Sequence, residues 1–320
     1  MTWDTIWREF IQSNHIEEKV EQLAEIESYL GRSGPDTKKI CEEIYYGYDD
    51  LCNKLQEVDR GIQEELNDIS NVWIRTSRIK TRESILKKII TKRFLQIGDD
   101  NSLYTRIGSL GLENVMTDLV GIRVIVNDIR QWEHFHFGLL KVFPFDRESI
   151  SGVEHHLLPH TGNSFMAEIP KAYYAPGDDF SYYEDLNLEC ILRENGYRSI
   201  HYTVNYKGCY VEIQVRTIYD EAWSNCDHDY VYKHEDNVSY DALSAMSKIL
   251  GDITRTCDDY SKLMGDVFNG KSIVPEGDGY KTAQDVKDEI SSLENRIKEA
   301  NSKLNHFIER ISVKENKGDS

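Results

Sequence analysis

The sequence predicts an α+β fold, a β-sheet flanked by helices, with long helices toward both ends of the chain. Three observations predict it. Residues 211–217, VEIQVRT, alternate strictly between apolar and polar, the period of a half-buried strand. The run GIRVIV, residues 121–126, is apolar almost throughout, which fits a strand covered on both faces. Over residues 37–70, and again over 286–311, apolar side chains recur every three or four positions, the period of an amphipathic helix.

The elements follow in order. Residues 1 to about 30 read as one polar helix that stops at GRSGPD, residues 31–36, where Gly and Pro punctuate the chain. Ile40, Ile44, Tyr48, Leu51, Leu55, Val58, Ile62, Leu66 and Ile69 then make one apolar stripe, so a long helix is expected from 37 to 70. VWIRT (72–76) reads as a short strand, SRIKT (77–81) as a loop and RESILKKIITKRF (82–94) as a basic helix. DLVGIRVIVND (118–128) is expected to be a central strand. Residues 131 to about 190 hold Gly, Pro, many aromatics and His134, His136, His155, His156 and His160. No zinc-type spacing with cysteines accompanies those histidines, so the stretch reads as an insertion or small subdomain packed by tyrosines.

A hairpin is expected over 199–217, turning at Lys207-Gly208, followed by helices over 218–232 and 240–265 and a Gly/Pro loop, PEGDGY, at 275–280. In the last helix Val286, Ile290, Leu293, Ile297, Ala300, Leu304, Phe307 and Ile311 form an a/d seam. Either the long N-terminal helix of the same chain or a second copy of the chain, in a homo-oligomer, would fill it. The organisation is therefore an N-terminal helical region (1–70), a central domain (71–233) interrupted at about 131–190, and a C-terminal helical region (234–320).

Composition excludes several classes. The chain has 320 residues, is 39% hydrophobic and carries a net charge of -18. No apolar run approaches the roughly 20 residues of a membrane span. The opening segment MTWDTIWREF is charged and lacks an apolar signal core. Six scattered cysteines (41, 52, 190, 209, 226, 257) without a CxxC suggest reduced thiols, so a cytoplasmic protein is expected. The acidic balance argues against broad nucleic-acid binding. Against it stands one basic segment, RTSRIKTRESILKKIITKR (75–93), with eight Lys or Arg and a single acid, Glu83. Such a segment is either a compact polyanion site or a solvated helix face.

The chemistry concentrates on the strands. Glu212, Gln214 and Arg216 share one strand face, with His201 and Thr203 as cross-strand neighbours. If the strand that opens at Asp118 and carries Arg123 joins the same sheet, two carboxylates meet near the basic segment. Two carboxylates plus phosphate oxygens suit Mg²⁺, and Lys and Arg neutralise what phosphate charge remains. Each residue also has a plainer reading: Asp118 as a cap, Glu212 paired with Arg216, Tyr197 in the core. No P-loop, protein-kinase signature or HExxH is present.

Four ordered blocks carry a family resemblance: SRIKTRESILKK (77–88), DLVGIRVIV (118–126), NGYRSIHYTV (195–204) and VEIQVRT (211–217), followed by WSNCDH (223–228) and YK (232–233). Together they resemble the synthetase domain of the RelA/SpoT family, in the form of a small alarmone synthetase without a hydrolase half. The resemblance implies a nucleotidyltransferase-like mixed sheet. It implies transfer of the β,γ-pyrophosphate of ATP to the 3′-hydroxyl of GDP or GTP, with AMP released. Arg78 and Arg123 would sandwich adenine; Lys80, Lys88 and Arg82 would hold the ATP phosphates. Asp118 would bind Mg²⁺, and Glu212 would bind Mg²⁺ or take the proton of the attacking hydroxyl. Tyr197 would stack on the acceptor base, with His201, Gln214 and Arg216 around it and Arg193 at the acceptor phosphates.

The resemblance departs in two places. Asp227 stands before His228 where many relatives have Glu. The basic stretch that precedes NGY in the family is here the acidic and aromatic KAYYAPGDDFSYYEDLNLECILRENGY, whose cations are Lys171 and Arg193. The runner-up acceptor is therefore the 3′ CCA end of tRNA or an adenine nucleotide. A catalytically inactive scaffold is the reading from another class.

Overall fold

A computed structural model describes residues 2–30, 36–69, 72–97, 99, 102–107, 111–145, 164–178, 183, 186–232, 239–268 and 283–315. Seven strands form one mixed sheet in the order β1-β2-β7-β6-β4-β5, with β3 paired to β6 off that path. They are β1 (Ile74–Ile79), β2 (Val120–Val126), β3 (Phe165–Met166), β4 (Lys171–Tyr174), β5 (Glu189–Leu192), β6 (Ser199–Tyr206) and β7 (Cys209–Thr217). The pairs β1–β2 and β6–β7 are antiparallel and β2–β7 is parallel, so β2 lies inside the sheet as its apolar run requires.

The hairpin turns where expected. Lys207 (φ 51°) and Gly208 (φ 82°) both adopt the left-handed conformation that a tight two-residue turn demands. The Asn205 side chain accepts from Gly208 N at 3.1 Å and closes the turn.

The helices are α1 (Trp3–Ser13), α2 (Glu17–Leu30), α3 (Thr37–Glu65), α4 (Arg82–Gln96), α5 (Ile129–Val142), α6 (Ile218–Tyr230), α7 (Tyr240–Phe268) and α8 (Ala283–Glu315). Local caps set several starts. Asp36 accepts from Lys39 N, Thr81 from Ser84 N, Asp128 from Arg130 N and Thr217 from Asp220 N. The apolar sheet face, with Val120, Ile122, Val124, Val211, Ile213 and Val215, is buried against the stripe of α3 (Leu55, Val58, Ile62) and against Trp132, Phe135 and Leu139 of α5.

Several expectations need correction. The stretch expected as one helix holds two, Trp3–Ser13 and Glu17–Leu30, because His15 takes a positive φ of 52° and breaks the run. SRIKT is not a loop: Ser77, Arg78 and Ile79 complete β1, which pairs along its whole length with β2. An edge strand can carry such polar residues because one of its faces stays open, which local pattern does not reveal. The C-terminal seam does not dock on the long N-terminal helix α3. It packs on α7, with Leu293 and Ala300 buried and Arg296–Asp259 and Lys303–Asp252 pairs beside them. Within 131–190, expected as an insertion, the described residues supply α5, β3, β4 and part of β5, all continuous with the sheet and its core. The loop 275–280, Lys233 and His155, His156 and His160 lie outside the described residues.

Of the remaining histidines in that stretch, His136 is buried and contacts the Tyr202 hydroxyl at 3.1 Å, which also accepts from Trp132 Nε1 at 2.7 Å. Burial pushes the His136 imidazole down to about 4, so it is a neutral core residue.

Candidate active site

The open face of the sheet is built from the residues that alternate with the core. Register places Arg78 beside Gly121, Gly121 beside Glu212 and Glu212 beside Thr203. The next row is Thr76, Arg123, Gln214, His201 and Lys171. Gly121 leaves space within this face: a Cβ there would sit 3.5 Å from Arg78 Nε, so a larger side chain would displace the guanidinium. Arg78 itself is exposed.

At the start of β2, Asp118 meets the basic segment. Lys80 Nζ donates to Asp118 Oδ2 at 2.7 Å, and Lys88 Nζ lies 2.8 Å from Oδ1. All three side chains are largely enclosed, at 14% (Lys80), 25% (Lys88) and 16% (Asp118) exposure. Oδ1 is buried, and its one partner among the described residues is the Lys88 ammonium. Burial pushes the Asp118 carboxyl up, and the Lys88 and Lys80 charges more than offset this, holding it below the ordinary aspartate value. Lys80 owes its place to the backbone: its N–H donates to Leu119 O at 2.9 Å and its carbonyl accepts from the Tyr48 hydroxyl at 3.1 Å.

Glu212 is near enough for the Asp118 charge to act on it. Burial raises its carboxyl, the His201 hydrogen bond and charge outweigh burial, and the net direction is down. Gln214 Nε2 donates to Glu212 Oε2 at 2.8 Å, while His201 Nδ1 lies 3.4 Å from Oε1. His201 Nε2 meets the Tyr197 hydroxyl at 2.8 Å, and Arg216 Nη2 donates both to that hydroxyl (2.8 Å) and to Gln214 Oε1 (2.9 Å). Glu212, His201, Tyr197, Arg216 and Gln214 thus close a ring of polar contacts on one face. Tyr173 stands at its rim, 4.7 Å between centroids from His201, with Arg193 4.7 Å above its ring.

The structure therefore brings together Arg78, Lys80, Lys88, Asp118, Arg123, Tyr197, His201, Glu212, Gln214 and Arg216. Arg193 reaches the same region through Tyr173. Arg82 is placed differently: it pairs with Asp49 at 2.8 Å and stacks on Tyr45 and Tyr48 of α3. Only part of the basic segment faces this site. Arg93 is buried in a pair with Glu27, and Arg75 bonds Gln63 and Asn67. Arg123 is also engaged, donating to Glu221 at 2.6 Å.

Sequence reasoning missed Glu221, Ser224, Ser199 and Tyr173. Position 221 is 98 residues from Arg123, and no local period links them. Its place in the first turn of the helix that follows VEIQVRT was the one available signal.

Among the described residues no cluster of three or more His, Cys, Asp or Glu forms a protein-only metal cage. The donor set fits a different arrangement. Asp118 and Glu212 offer hard oxygens beside two lysines, and Asp118 Oδ1 is buried with no partner but the Lys88 ammonium among the described residues. That suits a divalent ion sharing its shell with substrate phosphates.

The profile described as "Region found in RelA / SpoT proteins" matches residues 77–237, half of the chain. The chain belongs to the RelA/SpoT family, which at the level of the family supports a pyrophosphokinase activity. Similar solved structures include a GTP pyrophosphokinase family protein from Streptococcus pneumoniae (19% identity, 71% of this chain and 91% of that one, TM-score 0.39). They also include small alarmone synthetase 1 from Bacillus subtilis (20%, 71% and 97%, 0.41) and small alarmone synthetase 2 from the same organism (19%, 71% and 98%, 0.40). No curated protein matches the chain. Among the described residues no helix is long and apolar enough to cross a membrane.

Proposed function

We propose that this chain transfers the β,γ-pyrophosphate of ATP to the 3′-hydroxyl of GDP or GTP and releases AMP. The observation that supports the reading is the Asp118 carboxylate held by Lys80 and Lys88 just before β2, close enough to Glu212 on the open sheet face for its charge to act there. Arg78 and Arg123 are diagonal neighbours on β1 and β2, spaced to offer planar cations to a purine. Lys80 and Lys88 would hold the phosphates, and Asp118 would hold Mg²⁺ together with them, which leaves Glu212 to face the attacking hydroxyl. The ion, when bound, neutralises charge on the phosphoryl oxygens.

In the transfer, a bond forms between the acceptor 3′-oxygen and the β-phosphorus, and the bond from that phosphorus to the α–β bridging oxygen breaks. AMP leaves with the bridging oxygen. The hydroxyl proton goes to Glu212, whose lowered pKa makes it a weak base, so its help is orientation as much as basicity. Tyr197 and the Arg193–Tyr173 stack receive the acceptor base, and Arg216 and Gln214 fix the group being transferred. Most of the acceleration comes from positioning and charge neutralisation. Nucleotide substrates imply a cytoplasmic location.

One observation favours a second acceptor. Lys171 is tied to Glu168 at 2.8 Å and Arg193 is stacked on Tyr173, which leaves few cations for a 5′-di- or triphosphate. An RNA 3′ end, with one phosphate per nucleotide, needs fewer, although the net charge of -18 disfavours RNA. The test is purified protein with labelled ATP, Mg²⁺ and each of GDP, GTP, ATP and tRNA. AMP and a pyrophosphorylated guanine nucleotide are expected. Product on tRNA alone moves the acceptor to RNA. No AMP with any acceptor sinks the enzyme reading and leaves a scaffold.

A further inference from the structure

Glu221 belongs to none of the strands that carry the site. It sits in the first turn of α6, and its carboxylate turns back onto the sheet. Oε1 accepts from Arg123 Nη1 at 2.6 Å and from Asn225 Nδ2 at 3.1 Å; Oε2 accepts from Arg216 Nη1 at 3.0 Å. The helix start is fixed independently, since the Thr217 hydroxyl accepts from Asp220 N at 3.1 Å and Trp223 Nε1 donates to Ser247 O at 2.9 Å.

Arg123 on β2 and Arg216 on β7 are diagonal neighbours, because Arg123 registers with Gln214 and Ile125 with Arg216. Two guanidinium groups this close repel unless an anion separates them. Glu221 is that anion, and one carboxylate spans both.

We propose that Glu221 is a positioning residue that holds the donor-side Arg123 in place, anchored by its second oxygen on the acceptor-side Arg216. This rests on the pyrophosphokinase reading of those arginines. The two depend on it unequally. Arg216 is only 4% exposed and keeps Ser199, Ser224, Tyr197 and Gln214 as partners without Glu221. Arg123 is 33% exposed and keeps only Asn225, at 3.4 Å, among the described residues. Loss of the carboxylate therefore releases Arg123 and leaves Arg216 in place.

The test is Glu221→Gln, alone and combined with Arg123→Ala, with KM measured separately for ATP and acceptor. The expected result is an ATP KM raised by about tenfold, the scale of one charge-assisted hydrogen bond, with the acceptor KM within about twofold. In the Arg123→Ala background Glu221→Gln adds nothing further, because its effect runs through Arg123. A purely structural Glu221 would lower Tm and leave the ATP and acceptor constants unchanged or raise them together. That outcome, or additive effects in the double variant, overturns the proposal. Calorimetric ATP binding separates the two failures. Wild-type protein that binds no ATP overturns the pyrophosphokinase reading and this proposal with it; ATP affinity equal in wild type and Glu221→Gln overturns the proposal alone.

Discussion

Replacing Asp118 by Asn removes one negative charge while keeping the shape of the side chain. In the folded protein that charge serves Lys80 at 2.7 Å and Lys88 at 2.8 Å. The Lys80 ammonium stays charged and can still donate to the amide oxygen, so its contact moves from the upper toward the lower end of the about 1.5–3 kcal/mol of a bond to a charged group, a weakening of roughly 1 kcal/mol. Lys88 loses its charge pairing, but it is 25% exposed and water screens part of the loss. The total is about 1–3 kcal/mol, read as a lower urea midpoint at unchanged slope.

Chemistry should respond differently from stability. With the Asp118 charge gone, both lysines remain beside the phosphate site without that counter-charge, so ATP affinity is held or rises. Transfer, which in our proposal needs the carboxylate as a metal ligand, falls at least about hundredfold in kcat. The assay is AMP release at saturating ATP together with calorimetric ATP binding. A variant that keeps kcat within about threefold would remove Asp118 from the metal role; one that loses ATP affinity at constant kcat would make it a spacer for the lysines. The pH sign agrees with the pairing. The folded-state pKa of Asp118 is depressed, so its stabilisation is present above the ordinary aspartate value and is lost as pH falls through the lower folded one. As pH falls through that lower folded value the stabilities of variant and wild type should converge.

Three further predictions follow from separate parts of the molecule. Tyr202→Phe leaves Trp132 Nε1 and His136 Nδ1 without their shared partner in the core, so Tm should fall by the equivalent of about 1–3 kcal/mol with activity per folded molecule kept, since Tyr202 faces away from the site. Burial, followed by the nearby Asp220 charge, pushes the Asp258 carboxyl up to about 8. A raised carboxylate holds its stabilisation at low pH and loses it as pH climbs through that value, so Asp258→Asn should be more stable than wild type by a margin that grows from about pH 4 to about pH 8; a constant margin in thermal melts contradicts this. Arg193→Ala removes the cation above Tyr173 and should raise the acceptor KM severalfold while leaving the ATP KM unchanged; the opposite pattern would put Arg193 on the donor side.

Local pattern made much of the site legible. Alternation in VEIQVRT put Glu212, Gln214 and Arg216 on one face, and the pairs His201–Gln214 and Thr203–Glu212 follow from the hairpin turn. The same reasoning misread SRIKT, because an edge strand takes its pairing from a partner more than forty residues away, and that partner leaves no trace in the segment itself. It counted eight cations in 75–93 as one patch, whereas Arg75, Arg82 and Arg93 are spent on α2, α3 and the turn after α3.

The sequence by itself determined which side chains share a strand face, where the hairpin turns and which stretches coil, since these depend on spacings of two or three to four residues. Tertiary structure alone decided that β2 runs parallel to β7, that Asp118 comes within reach of Glu212, that Glu221 spans two arginines and that α8 rests on α7. Those are contacts between distant segments, selected by the burial and charge balance of the whole fold, and no short stretch of residues encodes them.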